Sequence, residues 1–355
     1  MPAIDVLLPV RNGMPFVGKA IESVRDQTFS DWRLLVIDHG SSDGSLDTAL
    51  DYRKTDKRIS VYSCPDADGL GTLKNIGLQK CDSRYVLMQD SDDISVGNRM
   101  DLMIEAFNAA PGRLAVGGDA IVIDAEGREC GRLRAPYSPK AITSASFFYN
   151  PMVHPATAIN LEAVRRLGAA YGIDFLNAVP ESESITVNRF AEDYIFFGQL
   201  ALVGQCANIP RSLIKYRRHA SSVSNVNHAA QIEASLRISR FLSKSFCRMR
   251  GMDEFDPGPF CSHADYVFDF QRLDYTALFE HMARTLSRGL GASSELGREL
   301  AFRRILANRR SGTMMYRFLR FQYRYGALPH ERRTVRNWLL RKARRGKYIY
   351  RSPPC

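Results

Sequence analysis

Short apolar runs alternate with amphipathic stretches over the first 120 residues, and this alternation limits the fold more than any other feature of the chain. Ile4 to Val10 forms an apolar run of strand length, and similar runs occupy residues 34–37, 59–62 and 85–88. Between the first two runs, apolar residues recur over residues 17–24 at the spacing of one helix face. This order predicts parallel β-strands joined by crossover helices, which is the α/β class.

Polar side chains directly follow three of these predicted strands. Asn12 comes after the first strand, Asp38 after the second, and Asp90, Asp92 and Asp93 after the fourth. In an open α/β sheet, the carboxyl ends of the strands border one crevice, where ligands bind. A single acidic residue at a strand end often caps a helix, whereas acidic turns meeting at one edge repel each other without a cation. The sequence therefore predicts a binding crevice that takes a cation.

The pattern is less regular after residue 93. Residues 120–134 predict a β-hairpin with its turn at 125–128, and residues 137–155 are expected to be mostly loop. Glu192 and Asp193 lie in the first turn of a predicted apolar helix, where the helix dipole favours carboxylates. Other expected elements are a helix at 161–167, short strands near 207–209 and at 213–216, and helical segments at 229–247 and 295–345.

The basic charge of the chain is concentrated towards its C-terminal end. The whole sequence has 49 Lys and Arg against 38 Asp and Glu, a net charge of +11. Residues 298–355 contain 17 basic and two acidic side chains, which gives +15, so the other residues together carry −4. A basic segment that is also rich in aromatic residues suits a nucleic acid, an anionic membrane surface or an acidic partner.

One predicted helix in this basic segment carries an apolar stripe. Val335, Trp338 and Leu339 lie on the stripe, and arginine and lysine residues surround it. Two interpretations remain open. The stripe packs on the body of the protein and leaves the charged side chains in water, or it binds an anionic membrane. The second interpretation predicts that removal of residues 332–355 weakens binding to anionic vesicles.

The cysteines and the lack of long apolar runs indicate a cytoplasmic protein. The seven cysteines are scattered, and no Cys-x-x-Cys pair of the kind that builds zinc or redox sites is present. No run approaches the roughly 20 apolar residues that span a bilayer, and the N-terminus lacks the features of a signal peptide. Reduced thiols are expected, in a cytoplasmic chain that is compatible with peripheral attachment to the inner face of the membrane.

Six segments, taken in their order along the chain, carry a resemblance to a known family. They are VLLPVRNG at 6–13, QTFSDWRLLVIDHGSSDGS at 27–45, KNIG at 74–77, VLMQDSDD at 86–93, FAEDY at 190–194 and YRRH at 216–219. Together they resemble family 2 glycosyltransferases over about residues 3–225. The resemblance implies the GT-A fold at 1–225, a Rossmann-like nucleotide-binding sheet with helices on both faces. A basic, mainly helical C-terminal region would follow at 226–355.

The resemblance implies that the chain binds a nucleotide-sugar and a divalent cation. When the nucleotide-sugar bond breaks, the diphosphate gains negative charge, which Mg²⁺ or Mn²⁺ held by carboxylate oxygens neutralises. Asp90 is implied to reach the ribose, and Asp92 and His219 to bind the metal. Asp93 is expected either to cap the helix that starts at Asn98 or to take a direct part in the site. The residues implied to bind the nucleotide-sugar are Pro9, Val10, Arg11, Asn12, Asp38, His39, Lys74, Asp90 and Ser91.

The acceptor hydroxyl must lose a proton as it attacks the anomeric carbon, so the reaction needs a general base. The resemblance assigns this role to Asp193 and implies that Glu192 holds the acceptor or orients the base. The reaction would then be an inverting, single in-line displacement. His154 lies in a stretch that the family places near the sugars. Arg217 or Arg218 is expected either to neutralise the diphosphate or to be a solvated surface charge.

Two positions depart from the family pattern. His39 stands where an Asp often reads the uracil ring. A UDP-sugar is the expected donor, and dTDP- and GDP-sugars stay open. Lys74 stands where an Arg is more usual, which gives a point charge in place of a bidentate fork on phosphate.

The acceptor that the resemblance implies is a saccharide or a lipid-linked sugar in bacterial-type surface polysaccharide or glycolipid synthesis. Two other functions fit parts of the sequence. A nucleotidyltransferase would also use paired carboxylates on Mg²⁺, although residues 9–13 contain a single glycine and no glycine-rich phosphate loop. A nucleic-acid-binding protein would use the basic segment. No nucleic acid is expected for the glycosyltransferase.

Overall fold

The computed structural model describes residues 2–219, 228–262 and 272–343. A mixed β-sheet lies at its centre. The strands are β1 Ile4–Val10, β2 Trp32–Asp38, β3 Ile59–Ser63, β4 Tyr85–Met88, β5 Ile94–Ser95, β6 Ala115–Ile123, β7 Glu129–Leu133, β8 Ala158–Asn160 and β9 Cys206–Arg217. Their order across the sheet is β3-β2-β1-β4-β8-β6-β9-β5, and β7 pairs with β6.

The predicted α/β unit forms one half of this sheet. Its helices are α1 Val17–Arg25, α2 Ser45–Thr55, α3 Gly69–Lys80 and α4 Arg99–Ala109. β1 pairs in parallel with β2 and β4, and β2 pairs in parallel with β3. Helix α1 buries one apolar face against the sheet because Val17, Ala20, Ile21 and Val24 recur at helical spacing. The carboxyl ends of β1, β2 and β4 therefore meet at one edge, and the α/β fold class is confirmed.

The other half of the sheet is partly antiparallel. β8 pairs antiparallel with both β4 and β6, and β9 runs parallel to β6. The two short strands predicted at 207–216 are one strand, β9, in which the register shifts beside Gly118 to Ala120. Pro210 lies within β9, and its missing N–H suits such an irregularity.

The stretch predicted as loop at 137–155 contains a helix, so this prediction is wrong. Helix α5, Pro139–Ser146, begins with a proline after Ser138, whose side chain accepts a hydrogen bond from the amide of Ala141. Proline in the first turn with a serine cap is a common helix start. The other helices of this half are α6 Leu161–Arg166 and α7 Glu192–Val203.

The C-terminal helices pack on α5 and α7, and α7 is buried along most of its length. They are α8 His228–Met249, α9 Thr276–Leu290, α10 Ser294–Ala307, α11 Ser311–Tyr325 and α12 Pro329–Ala343. Gly198 of α7 lets α8 approach closely, because a Cβ atom there would lie 2.5 Å from a methyl group of Leu242. One hydrophobic cluster joins Phe147 and Tyr194 to Phe246 and Phe302. Residues on both sides of position 225 thus share one core.

The apolar stripe of the basic segment lies on α12 and faces the body of the protein. Val335 and Trp338 are 1% and 9% exposed, and both belong to the shared core. The packing interpretation therefore accounts for this stripe. The segment predicted as helical at 295–345 consists of three helices, with a left-handed Gly326 between the last two. Residues 344–355 lie outside the described part, and no described helix is long and apolar enough to cross a membrane.

Candidate active site

A cavity of about 820 Å³ lies at the edge of the sheet where β1, β2 and β4 end. Its opposite wall comes from β7, residues 149–155 and the starts of α7 and α12. The predicted site residues that line it are Pro9, Val10, Arg11, Asn12, His39, Lys74, Asp90, Ser91, Asp92, Glu192 and Asp193. Asp38 is fully buried behind this edge and accepts the amide of Ser41. His219 approaches Asp92 from the end of β9.

The loop after β1 is tied to the loop after β2. Asn12 has a left-handed φ of 51° and accepts the amide of Ser42 at 2.9 Å. The amide of Gly13 donates to Ser45 Oγ at 2.8 Å. Gly13 is required there because a Cβ atom would lie 2.8 Å from a methyl group of Val10. These bonds fix the backbone at the nucleotide end of the cavity.

The imidazole of His39 is fixed in one tautomer by the loop that precedes α3. His39 Nε2 lies 2.8 Å from the carbonyl oxygen of Ala67. A carbonyl oxygen only accepts hydrogen bonds, so Nε2 must carry the proton. In the neutral ring, Nδ1 is then a hydrogen-bond acceptor. The side chain that replaces the family's Asp at this position therefore keeps an acceptor atom.

Asp90 is held in its charged form by the side chains around it. Its Oδ1 lies 3.3 Å from His154 Nδ1. Burial by itself would raise the pKa of Asp90, but His154, Lys74 and Arg99 outweigh that effect and lower the pKa. Arg99 is completely buried beneath this turn and donates to the carbonyls of Met88 and Thr157. Asp90 thus offers a carboxylate to the cavity at neutral pH.

Asp92 and His219 form the part of the site that could hold a cation. Asp92 Oδ2 and His219 Nε2 are 2.9 Å apart, and Asp92 lines the cavity. Within residues 2–219, 228–262 and 272–343, no three His, Cys, Asp or Glu side chains are grouped as a metal cage. Mg²⁺ commonly takes one or two protein ligands and completes its shell with water and substrate phosphates. One carboxylate and one imidazole fit a cation that also binds a diphosphate.

Asp93 and Arg217 play structural roles, and of the two arginines expected to neutralise the diphosphate or to lie in solvent, Arg218 lines the cavity. Asp93 Oδ1 accepts the backbone amide of Arg217 at 2.7 Å and caps no helix. The Arg217 guanidinium is buried and donates to the carbonyls of Asp92, Asp124 and Ala125. It is therefore neither a phosphate ligand nor a solvated charge. Because these contacts satisfy the guanidinium on backbone atoms, Arg217 joins the Asp92 turn to the β6–β7 hairpin.

Lys74 and Glu192 form a buried ion pair at the floor of the cavity. Lys74 Nζ lies 2.8 Å from Glu192 Oε1, and the two side chains are 3% and 5% exposed. Burial would lower the pKa of Lys74, but Glu192, Asp90 and Asp193 outweigh it and raise the pKa. The predicted phosphate ligand and the predicted partner of the base are thus bound to each other, across a sequence separation of 118 residues.

Asp193 stands at the start of α7 with both carboxylate oxygens in hydrogen bonds. Oδ2 accepts from Asn150 Nδ2 at 2.9 Å, and Oδ1 accepts from the amide of Tyr194. Burial raises the pKa of Asp193, and the neighbouring Glu192 raises it further. Ala191 precedes this turn with a left-handed φ of 59°. A buried carboxylate with a raised pKa, facing a cavity, is well suited to accept a proton.

Sequence reasoning missed three contributors to this site. Asn150 bonds to Asp193, Arg99 supports the Asp90 turn, and Tyr171 lies 5.2 Å from Lys74 Nζ by its ring centroid. Asn150 stands in the same stretch as His154, where the sequence pattern marks only the histidine. The signal for Arg99 was an arginine at the start of a helix, directly after the acidic turn. Nothing in the sequence pattern marks Tyr171.

The sequence model of the family described as "Glycosyl transferase family 2" matches residues 5–164. An uncharacterized glycosyltransferase of Haemophilus influenzae is 26% identical over 249 residues, which is 67% of this chain and 72% of that protein. The Escherichia coli UDP-Glc:alpha-D-GlcNAc-diphosphoundecaprenol beta-1,3-glucosyltransferase WfgD is 31% identical over 101 residues, which is 28% of this chain and 39% of that protein.

Solved structures with the same fold cover nearly the whole chain. The S. aureus TarS fragment 1–349 in complex with UDP-GlcNAc has a TM-score of 0.51 at 15% identity, over 98% of this chain and 93% of that chain. The mannosyltransferase PcManGT from Pyrobaculum calidifontis, in complex with GDP-Man and Mn2+, has a TM-score of 0.50 at 14% identity, over 96% and 87%. At these identities the likeness shows the fold, which is of the GT-A type.

Proposed function

The chain belongs to the family 2 glycosyltransferases, whose model matches residues 5–164, and from that premise we propose that it transfers a sugar, with inversion, from a nucleotide-sugar to an acceptor hydroxyl. The observation that carries the proposal is the placement of two acidic groups around one cavity. Asp90 and Asp92 lie at the sheet edge, and Asp193 lies at the start of α7. A donor diphosphate needs the first group, and an attacking hydroxyl needs the second.

Asp193 acts as the general base in this proposal. The acceptor oxygen attacks the anomeric carbon while Asp193 takes its proton, and the bond from that carbon to the diphosphate oxygen breaks as the nucleoside diphosphate leaves. The bond to Asn150 fixes the direction of one carboxylate oxygen. Of the two roles expected for Glu192, we propose the orientation of the base, because Lys74 binds its Oε1 and its charge raises the pKa of Asp193. Its role is to tune and position the base.

Asp92 and His219 would hold Mg²⁺ or Mn²⁺ together with the diphosphate. A cation bound there would supply positive charge for the leaving diphosphate. The support for this role is the carboxylate–imidazole pair at the cavity edge. Asp90 is then available for the ribose hydroxyls, since His154 and Lys74 keep it charged without a metal. Ser91 and residues 9–12 complete the nucleotide end.

The donor is proposed to be a UDP-sugar, and dTDP and GDP remain the other candidates. With Nε2 bonded to Ala67, His39 presents only an acceptor at Nδ1. Uracil and thymine carry an N–H donor at N3, and guanine carries one at N1, whereas cytosine and adenine present acceptors at those positions. His39 therefore favours the same bases as the Asp that it replaces.

The acceptor is proposed to be a saccharide or a lipid-linked sugar in surface polysaccharide or glycolipid synthesis. Relatives of the chain are named for teichuronic acid biosynthesis and for transfer to a diphosphoundecaprenol-linked sugar. Such acceptors are anchored at the membrane. A transferase that acts on them gains from a weak attachment to the same surface.

We place this attachment on α11, because the stripe of α12 is buried. α11 exposes Tyr316, Leu319 and Tyr323, which are 60%, 58% and 95% exposed and lie on one side of the helix. Its only charged residues are Arg317, Arg320 and Arg324. An exposed apolar and aromatic face among arginines is complementary to an anionic bilayer surface.

A donor screen tests the enzymatic proposal. Thermal shift is measured with UDP-, dTDP- and GDP-sugars, with and without Mn²⁺. We expect stabilisation by one nucleotide class, larger with Mn²⁺, because a ligand that binds the folded state raises the melting temperature. Slow hydrolysis of that donor should require Asp92, and Asp92→Ala should abolish it. Absence of binding and hydrolysis across all donors would contradict the proposal.

Vesicle sedimentation tests the attachment. Binding to vesicles of phosphatidylglycerol and phosphatidylcholine should fall about tenfold in the double variant Leu319→Ser/Tyr323→Ser, because apolar contacts with the bilayer are lost. The matched control is Leu278→Ser, since Leu278 is 44% exposed on α9. Equal loss of binding in both variants, or binding that does not depend on the anionic lipid content, would contradict the proposal that α11 contacts the membrane.

A further inference from the structure

Five arginines that line the active-site cavity have no acidic partner in the part of the chain that the structure describes: Arg11 after β1, Arg218 after β9, and three that lie on β7 and α12 or next to them. Arg132 and Arg134 lie at the end of β7, and Arg333 lies in the first turns of α12. All three side chains are exposed, and no salt bridge or side-chain hydrogen bond within that part engages them. Many other arginines on this surface are paired with carboxylates, as Arg128 is with Asp124 and Glu126.

Arg134 lies at the end of the cavity that contains the proposed base. The chain leaves β7 through Pro136, whose carbonyl oxygen accepts from Asn208 Nδ2 at 2.7 Å. The same amide nitrogen donates to the carbonyl of Pro151 at 3.2 Å. Pro151 follows Asn150, which bonds to Asp193. Arg134 is therefore two residues from Pro136, which the Asn208 side chain links to Pro151, next to the Asn150 that bonds to the base.

Arg333 reaches the same end from the opposite side. His330, one turn before it, has its ring centroid 5.7 Å from that of Tyr149, the residue next to Asn150. The start of α12 is fixed in place, because Glu331 forms a salt bridge with Arg298 at 2.8 Å and Thr334 Oγ1 donates to the carbonyl of Ser262. Burial lowers the pKa of His330 to about 4, so at neutral pH the positive charge here comes from Arg333.

The nucleotide end of the cavity has its own charged groups and does not need these arginines. There, Arg11 and Arg218 line the cavity with Asp90 and Asp92, and a divalent cation is proposed for the diphosphate. Guanidinium groups left without carboxylate partners beside the base are suited to a ligand that carries more than one negative charge. Arginine pairs bidentately with phosphate oxygens, and such charge-assisted bonds are among the strongest that proteins make.

We propose that Arg132, Arg134 and Arg333 form a phosphate subsite at the acceptor end of the cavity, so that the acceptor carries a phosphate group close to the hydroxyl that is glycosylated. This rests on the proposed glycosyltransferase function and adds the chemical class of its acceptor. The C-terminal helical region contributes Arg333 and so belongs to the substrate site. A sugar phosphate linked to a lipid and a soluble or polymer-borne sugar phosphate share this chemistry.

Binding is measured by calorimetry on the full chain, with saturating UDP and Mg²⁺ occupying the nucleotide end. The probes are N-acetylglucosamine 1-phosphate, its geranyl diphosphate conjugate and the neutral methyl glycoside of N-acetylglucosamine. We expect the two phosphate probes to bind and the neutral glycoside to bind at least tenfold more weakly. Arg134→Gln and Arg333→Gln should each weaken phosphate binding about 10- to 100-fold, because each removes charge-assisted hydrogen bonds.

The matched controls are Arg336→Gln on α12 and Arg211→Gln on β9, since both arginines are exposed and neither lines the cavity. Tighter binding of the geranyl conjugate assigns a lipid-linked source, and equal binding assigns a soluble or polymer-borne one. Equal binding of the neutral glycoside, or equal losses in Arg333→Gln and Arg336→Gln, would overturn the subsite. UDP-sugar hydrolysis without acceptor should stay unchanged in the controls Arg336→Gln and Arg211→Gln. Absence of this hydrolysis in the unmodified chain would contradict the glycosyltransferase proposal and not the subsite.

Discussion

The two ends of the active-site cavity are built by different means. The sheet end consists of short turns that follow β1, β2 and β4, and nearby backbone groups and side chains hold its polar residues. The helix end is assembled from α7, the loop at 149–155 and α12, which are far apart in the chain. The sheet end therefore depends on strand order, and the helix end depends on how the C-terminal region packs.

The carboxylates at the two ends differ in the same way. Burial affects both Asp90 and Asp193, but His154, Lys74 and Arg99 lower the pKa of Asp90, whereas the charge of Glu192 adds to burial in raising the pKa of Asp193. A carboxylate that binds a ligand works best when it stays charged, and a general base works best when it can take up a proton. The protein thus obtains two functions from one residue type by changing the partners.

Replacement of the base should have the largest effect. Asp193→Asn removes the proton acceptor and keeps the shape of the side chain, so we expect kcat for transfer to fall about 10³- to 10⁴-fold. Donor binding, measured by thermal shift, should stay within about twofold because Asp193 lies at the helix end. Asp92→Asn should show the opposite pattern, with loss of the Mn²⁺-dependent donor affinity. If both variants lose donor binding equally, the two ends do not have separate functions.

The ion pair that joins the two ends should dominate stability. Lys74→Met leaves Glu192 buried without its partner, and we expect the free energy of unfolding to fall by about 3 to 5 kcal/mol. In the double variant Lys74→Met/Glu192→Met no charge is stranded, so most of the loss should be recovered. Urea denaturation with unchanged slope gives both values. A double variant as unstable as the single one would show that packing, and not the stranded charge, causes the loss.

The sheet end was largely predictable from sequence because its signals are local. A strand followed by an Asp or Asn within a few residues places that side chain at the sheet edge, whatever the rest of the chain does. Asn12, His39, Asp90 and Asp92 line the cavity for this reason. Even here, the hydrogen bond between Asp93 and the backbone amide of Arg217 could not be predicted, since it joins residues 124 positions apart.

The helix end could be predicted only in part. The acidic pair at 192–193 was found through its helix start and the resemblance, but its partners Lys74 and Asn150 come from distant segments. The C-terminal region gave no sequence signal for a place beside the cavity. Its apolar stripe at Val335 and Trp338 fits a membrane or a core equally well by pattern, and only the packing on the shared core distinguishes them.

The hydrogen bond from Asn150 should set the pH dependence of the helix end. The Asn150 amide stabilises the charged form of Asp193, so its loss in Asn150→Ala should raise the pKa of Asp193. This adds to the effects of burial and Glu192, which already raise that pKa against the opposing His154 and Lys74. Activity needs the deprotonated base, so the acidic limb of the kcat profile should move to higher pH. We expect kcat at neutral pH to fall about tenfold, since an oriented base is lost. A lower kcat with an unmoved limb would indicate a purely structural role.

The smallest effect should come from the base-reading position at the sheet end. His39→Leu removes the acceptor at Nδ1, and we expect UDP to bind about five- to tenfold more weakly, the size of one neutral hydrogen bond. His39→Asp keeps an acceptor and should bind UDP nearly as the unmodified chain does. CDP, which presents an acceptor at the same ring position, should bind poorly to both the unmodified chain and His39→Asp, and His39→Leu should bind UDP and CDP alike. Calorimetry with the two nucleotides measures this ratio. An unchanged preference for UDP in His39→Leu would show that His39 does not recognise the base. The sheet end would then be left with recognition of the ribose and phosphates only.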